Sequence, residues 1–113
     1  MRDDRARLLD ILEAIERIER YAAKGIEAFR NDELIQNWMV RNIELIGEAA
    51  RSLSQRFRNQ TPNVPWSYII GMRNVLAHRY FDIDFEIVWK VVSTDIPRLK
   101  PQIEDILNNP PRD

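Results

Sequence analysis

No cysteine occurs anywhere in the 113 residues, which removes disulfides, thiolate metal sites and a cysteine nucleophile together. Histidine appears once, as His78, so a zinc site of the usual ligand types within one chain is excluded too. The three glycines are scattered, at positions 25, 47 and 71, and leave no glycine-rich loop to cradle phosphates. Ser52, Ser54, Ser67 and Ser93 lack the elbow motif of a serine nucleophile. No apolar run approaches the roughly 20 residues that cross a bilayer. The start, MRDDRARLLD, is too charged for a signal peptide. A cytoplasmic protein with no membrane segment is the expectation.

What is present suits one globular domain over residues 1–113, 44% apolar and 31% charged. A net charge of −1 argues against coating nucleic acid by bulk attraction, because such affinity comes from many phosphate contacts. The cations are lopsided, fourteen arginines against three lysines. Arginine's planar fork binds two phosphate oxygens at once; a compositional habit of the genome explains the bias equally well.

The apolar spacing is helical nearly throughout. Leu8, Ile11, Ile15, Ile18 and Ala22 alternate steps of three and four, predicting a helix from about 4 to 24, capped by Asp3 or Asp4 and ended by Gly25. Asn31 and Asp32 offer the next cap. A stripe from there runs through Met39, Ile43, Ile46, Ala50, Leu53 and Phe57, with Leu34, Trp38, Leu45 and Ala49 beside it. So wide an apolar arc needs two neighbours, either within its own bundle or on a second copy of the chain. The segment NQTPNVP, 59–65, reads as a loop. A third helix opens near Trp66 with Ile69, Met72 and Leu76 inward. FDIDFEIVW, from Phe81, alternates like a strand, yet Phe85, Val88, Trp89 and Val92 also fit a helix that Asp82 could cap. A lone strand has no partner here, so the helix is preferred. Asp95 and Pro97 restart a last helix to about Leu107, followed by a frayed tail. The reading is an all-α, up-and-down bundle of four to five helices.

Within it, RNVLAHRY places Arg73 five residues before His78 and Tyr80 two after. On a helix Arg73 and Tyr80 share a face, and Asn74 and His78 share the next. Arg73 and His78 are about 140° apart around an ideal helix. They meet at one phosphate only if the arginine curls back, the helix ends near His78, or a second subunit contributes. None of the four completes the apolar stripe. The plain alternative is a histidine bonded to a backbone carbonyl at a helix end. Asp82, Asp84 and Glu86 could hold magnesium, although acids in a first helical turn already complement its dipole. The clusters around Trp38, Trp66 and Trp89 suit a core or an interface better than base stacking.

Three blocks taken in order carry more than any one: IGEAA (46–50), VPW (64–66) and MRNVLAHRYFDIDFEIVW (72–89). Together they resemble the HepT-like toxins of the HEPN superfamily, along nearly the whole chain. The most specific part is the R-x4-H-x-Y signature, matched here by Arg73, His78 and Tyr80. The resemblance implies a homodimeric, metal-independent ribonuclease with its cleft between subunits. It also implies a partner antitoxin, a minimal nucleotidyltransferase that transfers AMP to the motif tyrosine. Arg73 and His78 would then be catalytic, Asn74 and Arg79 supporting or phosphate-binding, Tyr80 the modified residue, RNA the substrate, and no cofactor required. Arg51, Arg56, Arg58 and Arg79 either supply local positive surface or are ordinary solvated arginines. Two other readings stay open at this point, a dimeric binding module that docks a nucleotidyltransferase or a nucleotide without cutting RNA, and a purely structural interaction protein.

Overall fold

The computed structural model describes the backbone of residues 2–78 and 83–112, and the side chains of 3–72 and 83–112. Seven α-helical segments occur among these residues: α1 (Arg2–Ala22), α2 (Ile26–Asn31), α3 (Glu33–Arg51), α4 (Gln55–Gln60), α5 (Trp66–His78), α6 (Phe85–Lys90) and α7 (Ile96–Asn108). A π-helical turn, Val91–Asp95, joins α6 to α7 without a break. Four long rods result, α1, α3, α5 and α6–α7, with α2 and α4 as short connectors. The bundle is all-α, and no strand occurs among the described residues. No described helix is long and apolar enough to cross a membrane.

Helix α1 lays Leu8, Ile11, Ile15 and Ile18 wholly inward, as its spacing demands. It runs antiparallel to α3: the Trp38 indole N–H donates to the Arg17 carbonyl at 2.8 Å near one end, and Asp4 reaches Ser54 at the other. Gly25 closes this helix with φ of 90°, a backbone region that side chains with a Cβ rarely enter. Its N–H donates to the Ala22 carbonyl at 3.0 Å.

Asp32 caps α3 as expected, its Oδ1 accepting from Leu34 N at 2.9 Å and Ile35 N at 3.4 Å. Gln36 turns back and donates to the carbonyls of Phe29 and Arg30, both at 3.1 Å, satisfying orphan acceptors at the end of α2. The wide apolar arc of α3 is buried within one chain, because α3 packs against α1 on one side and α5 on the other. Leu34 alone on that arc stays mostly in water, 80% exposed.

Several expectations need correction. The stripe ending in Phe57 is not one helix: α3 stops at Arg51, and Ser54 caps a separate α4 through Phe57 N at 3.1 Å. Phe57 is still buried, because the break swings α4 back onto the same core. Asp3 and Asp4 lie inside the first turn of α1, and Asp4 serves α4 instead of capping its own helix. Asp84, not Asp82, caps α6, accepting from Glu86 N at 2.9 Å; Asp82 lies outside the described residues. Asp95 makes no capping bond, since α7 continues from the π turn. Pro97 has no N–H for the helix ladder, and just before it Ile96 N–H reaches Val91 O, five residues back. The tail is not frayed at Arg112, whose carbonyl accepts from Gln60 Nε2 at 2.8 Å.

Asp4 is 5% exposed, and its two oxygens take Ser54 N and Ser54 Oγ, each at 2.8 Å. One carboxylate therefore fixes the start of α4 against α1. Removing it strands two donors, a loss of about 1–3 kcal/mol. We predict that Asp4→Ala lowers the unfolding free energy measured in urea by that amount, with Ser54→Ala costing less when Asp4 is already gone. Strict additivity across this double-mutant cycle would disprove the clasp.

Candidate active site

Helix α5 carries Arg73, Asn74 and His78, and its opening is firmly anchored. Pro65, which needs no N–H partner, lies at the start, and its carbonyl accepts from Ile69 N at 3.1 Å. Trp66 is buried, its ring centroid 6.3 Å from that of Phe57. The indole N–H donates to Thr61 Oγ1 at 2.9 Å, and the Thr61 hydroxyl donates in turn to the Phe57 carbonyl at 3.0 Å. Ile69 is buried and Met72 half-buried against the core, as the spacing predicts; the side chain of Leu76 lies outside the description.

Two bonds set the register of α5 against the last rod. The Tyr68 hydroxyl donates to Asp95 Oδ2 at 2.8 Å, and Gln102 Nε2 donates to the Asn63 carbonyl at 2.9 Å. The pairing is antiparallel, which sets the last turn of α5 level with the start of α6. Arg73, Asn74 and His78 occupy the last two turns of α5. Their side chains lie outside the described residues, as do Arg79 and Tyr80 altogether. Along an ideal helix Arg73 and His78 are about 7.5 Å apart in rise.

The aromatic and charged side chains that join α2 to α6 are paired with one another. Phe29 of α2, wholly buried, meets Phe85 at 6.2 Å and Trp89 at 5.2 Å between ring centroids. Arg30 forks onto Glu86, Nη2 to Oε1 at 2.7 Å and Nε to Oε2 at 3.2 Å, and also reaches Glu27 at 3.1 Å. The hydrogen bond and charge of Glu86 hold the guanidinium above its ordinary value, and Arg30 holds the Glu86 carboxyl below its own. Arg30 is therefore committed to acids. Asp84 and Glu86 are likewise engaged, by the α6 cap and by Arg30, and Asp82, the third acid of that candidate, lies outside the described residues. Among the described residues no group of three metal-binding side chains occurs.

Beside α5 an apolar cleft of about 250 Å³ opens between α3, α5 and the last rod. Ile43, Ile46, Met72 and Leu99 line it, and the Tyr68–Asp95 pair sits at its edge. The hydrogen bond to Asp95, with partial burial and the carboxylate's charge, raises the Tyr68 phenol above its ordinary value. Sequence reasoning missed this pair; 27 positions separate the two residues, and no local pattern joins them.

The family model described as "Ribonuclease HepT-like" matches residues 11–106, a span that contains α3, α5 and all of Arg73–Tyr80. The chain belongs to the HepT-like family. Curated relatives agree. It is 41% identical over 105 residues to "Putative RNase MJ1380" of Methanocaldococcus jannaschii, covering 91% of this chain and 95% of the relative. It is 39% identical over 100 residues to "Probable ribonuclease HepT" of Thermococcus cleftensis, covering 88% and 91%. A third, "Putative RNase TTE0752" of Caldanaerobacter subterraneus, is 39% identical over 90 residues, 80% of each chain. No solved structure matches.

In this HepT-like chain the Tyr68–Asp95 bond steadies the helix that carries the motif. A phenol whose folded pKa is raised stabilises the fold below the unfolded pKa, near 10, and that stability is lost as pH rises through the folded value. Tyr68 is 51% exposed, so solvent screening keeps the effect small. Tyr68→Phe is expected to cost about 0.5–1 kcal/mol in thermal unfolding at neutral pH, with the gap to the native protein closing above pH 10. An equal loss at all pH values would mean that packing, not the bond, was removed.

Proposed function

We propose that this chain is an endoribonuclease that cleaves RNA through the substrate's own 2′-hydroxyl, with Arg73 and His78 as catalytic residues. The family match over the whole motif-bearing segment carries this reading, and the ribonuclease names of its relatives support it. RNA brings its own nucleophile, so neither a metal nor a covalent enzyme intermediate is required. The 2′-oxygen attacks the adjacent phosphorus and the bond to the 5′-oxygen breaks. The 2′ proton passes to a base and a proton arrives on the leaving oxygen. Imidazole ordinarily titrates near neutrality and suits both transfers. Arg73 offsets the charge that builds on the phosphoryl oxygens. Asn74 orients His78 or contacts the phosphate, and Arg79 adds positive potential beside it.

Two copies of the chain form the working enzyme in this proposal. A cleft shared between subunits removes the 140° disparity on a single helix, because each copy's arginine can face its partner's histidine. The protein acts as the toxin of a toxin–antitoxin pair. Its antitoxin, a minimal nucleotidyltransferase, silences it by placing AMP on Tyr80. That adduct adds negative charge and bulk where RNA phosphates must bind.

Purified protein incubated with total RNA in EDTA should yield ends carrying 2′,3′-cyclic phosphate, and His78→Ala should slow cleavage by a factor of about 10² to 10⁴. Ends bearing 3′-hydroxyls, or full activity in the variant, would overturn the mechanism. Binding of a nucleotidyltransferase with no cleavage by the native protein would favour the binding-module reading. Tyr80→Phe should still cut RNA yet accept no AMP from the antitoxin; silencing of that variant by AMP transfer would remove Tyr80 from its role.

A further inference from the structure

Charge is distributed unevenly along this chain. None of the eighteen acids falls between residues 49 and 81, whereas Arg51, Arg56, Arg58, Arg73 and Arg79 all do. The rest of the sequence holds twelve basic against eighteen acidic residues. The fold gathers the first part of this stretch. Arg51 ends α3, Arg56 and Arg58 flank the buried Phe57 of α4, and Phe57 packs on Trp66 at the head of α5.

Four cations elsewhere are held by acids, while Arg20, Arg41, Lys90 and Arg98, like the arginines of this stretch, have no ion pair among the described residues. Arg7 meets Asp10 at 3.7 Å, Arg17 meets Glu13 at 2.6 Å, Arg30 meets Glu86 at 2.7 Å and Lys100 meets Glu19 at 2.8 Å. Arg51 and Arg56 are exposed and have no ion pair or side-chain hydrogen bond among the described residues. Arg58 reaches only a neutral amide, Gln55 Oε1 at 3.2 Å. Asp4, the acid that reaches α4, has both oxygens taken by Ser54. Arg56 stands in the first turn of α4, where no acid is present. A cation there opposes the helix dipole, so helix stability does not account for it.

We propose that Arg51, Arg56 and Arg58 form a phosphate-binding exosite that grips the RNA strand away from the scissile bond. This rests on the ribonuclease reading above. From Trp66 to Arg73 the rise along α5 is about 10 Å, so the exosite would hold nucleotides flanking the cut and not the cut itself. Guanidinium forks without acid partners, in a stretch of the chain that carries no acid, suit a polyanion, and binding releases its counterions.

The test measures binding of a fluorescent single-stranded RNA to His78→Ala protein, which binds without cutting, across a salt series. Arg56→Glu should weaken binding severalfold and reduce the slope of log K against log salt by about 0.7, and Arg51→Glu/Arg56→Glu by about 1.4. The same double reversal in the active protein should raise KM. Arg20→Glu, on acid-rich α1, should leave the slope in place. Unchanged affinity and slope in a protein that still cuts RNA would overturn the exosite and leave the ribonuclease standing. Native protein that neither binds nor cuts RNA would overturn both. Loss of antitoxin binding with RNA affinity intact would assign the patch to a protein partner and overturn the proposal. Unchanged circular dichroism and melting in the variants separates each result from misfolding.

Discussion

Helix α3 presents apolar side chains on two adjoining faces, and burying both is the constraint from which the other placements follow. Met39, Ile43, Ile46 and Ala50 are essentially without solvent contact, and each large aliphatic removed from water contributes about 1.5–3 kcal/mol. No single neighbour can cover that arc. The chain therefore folds back twice, laying α1 along one side and α5 along the other. α5, which carries Arg73 and His78, is thereby held against α3. The clasp between Asp4 and Ser54 and the indole bond from Trp38 to Arg17 then lock the antiparallel register at both ends.

Periodicity made the long helices legible because each extends over several turns of repeating apolar positions. Asp32 as a cap, Gly25 as a stop and Trp66 as a start were all visible as residue types in the right places. The connectors were not. α2 and α4 have six residues each, fewer than two turns, and a period of 3.6 cannot declare itself over so short a run. Phe57 misled because it continued the stripe of α3 by number while belonging to another helix. The alternation from Phe81 to Ile87 fitted a strand, but the helix preferred for want of a strand partner is what the described part forms, with Phe85 and Trp89 packed onto Phe29.

The site was legible in a different way. Arg73, His78 and Tyr80 stand out because nothing in the packing pattern calls for them, and the family match covers them in order. The separation of Arg73 and His78 around one helix is a property of α-helical geometry, and the proposed shared cleft is one way of bringing both to one phosphate. Long-range partners escaped sequence reading. Tyr68 with Asp95 and Asp4 with Ser54 are joined only by the fold, and that Arg51 and Arg56 have no ion pair among the described residues is likewise seen only there. Composition reported a near-neutral protein, whereas the order of residues sets an acid-free segment apart from an acid-rich remainder.

The π turn at Val91–Asp95 has an evolutionary reading. Such a turn holds one residue more than the α-helical ladder needs, as an insertion into an older, regular helix would leave it. The extra residue is taken up inside the turn, so the residues after it keep the faces they would have on an uninterrupted helix. Leu99 and Ile103 thereby stay buried, while Asp95, within the wider turn, reaches Tyr68.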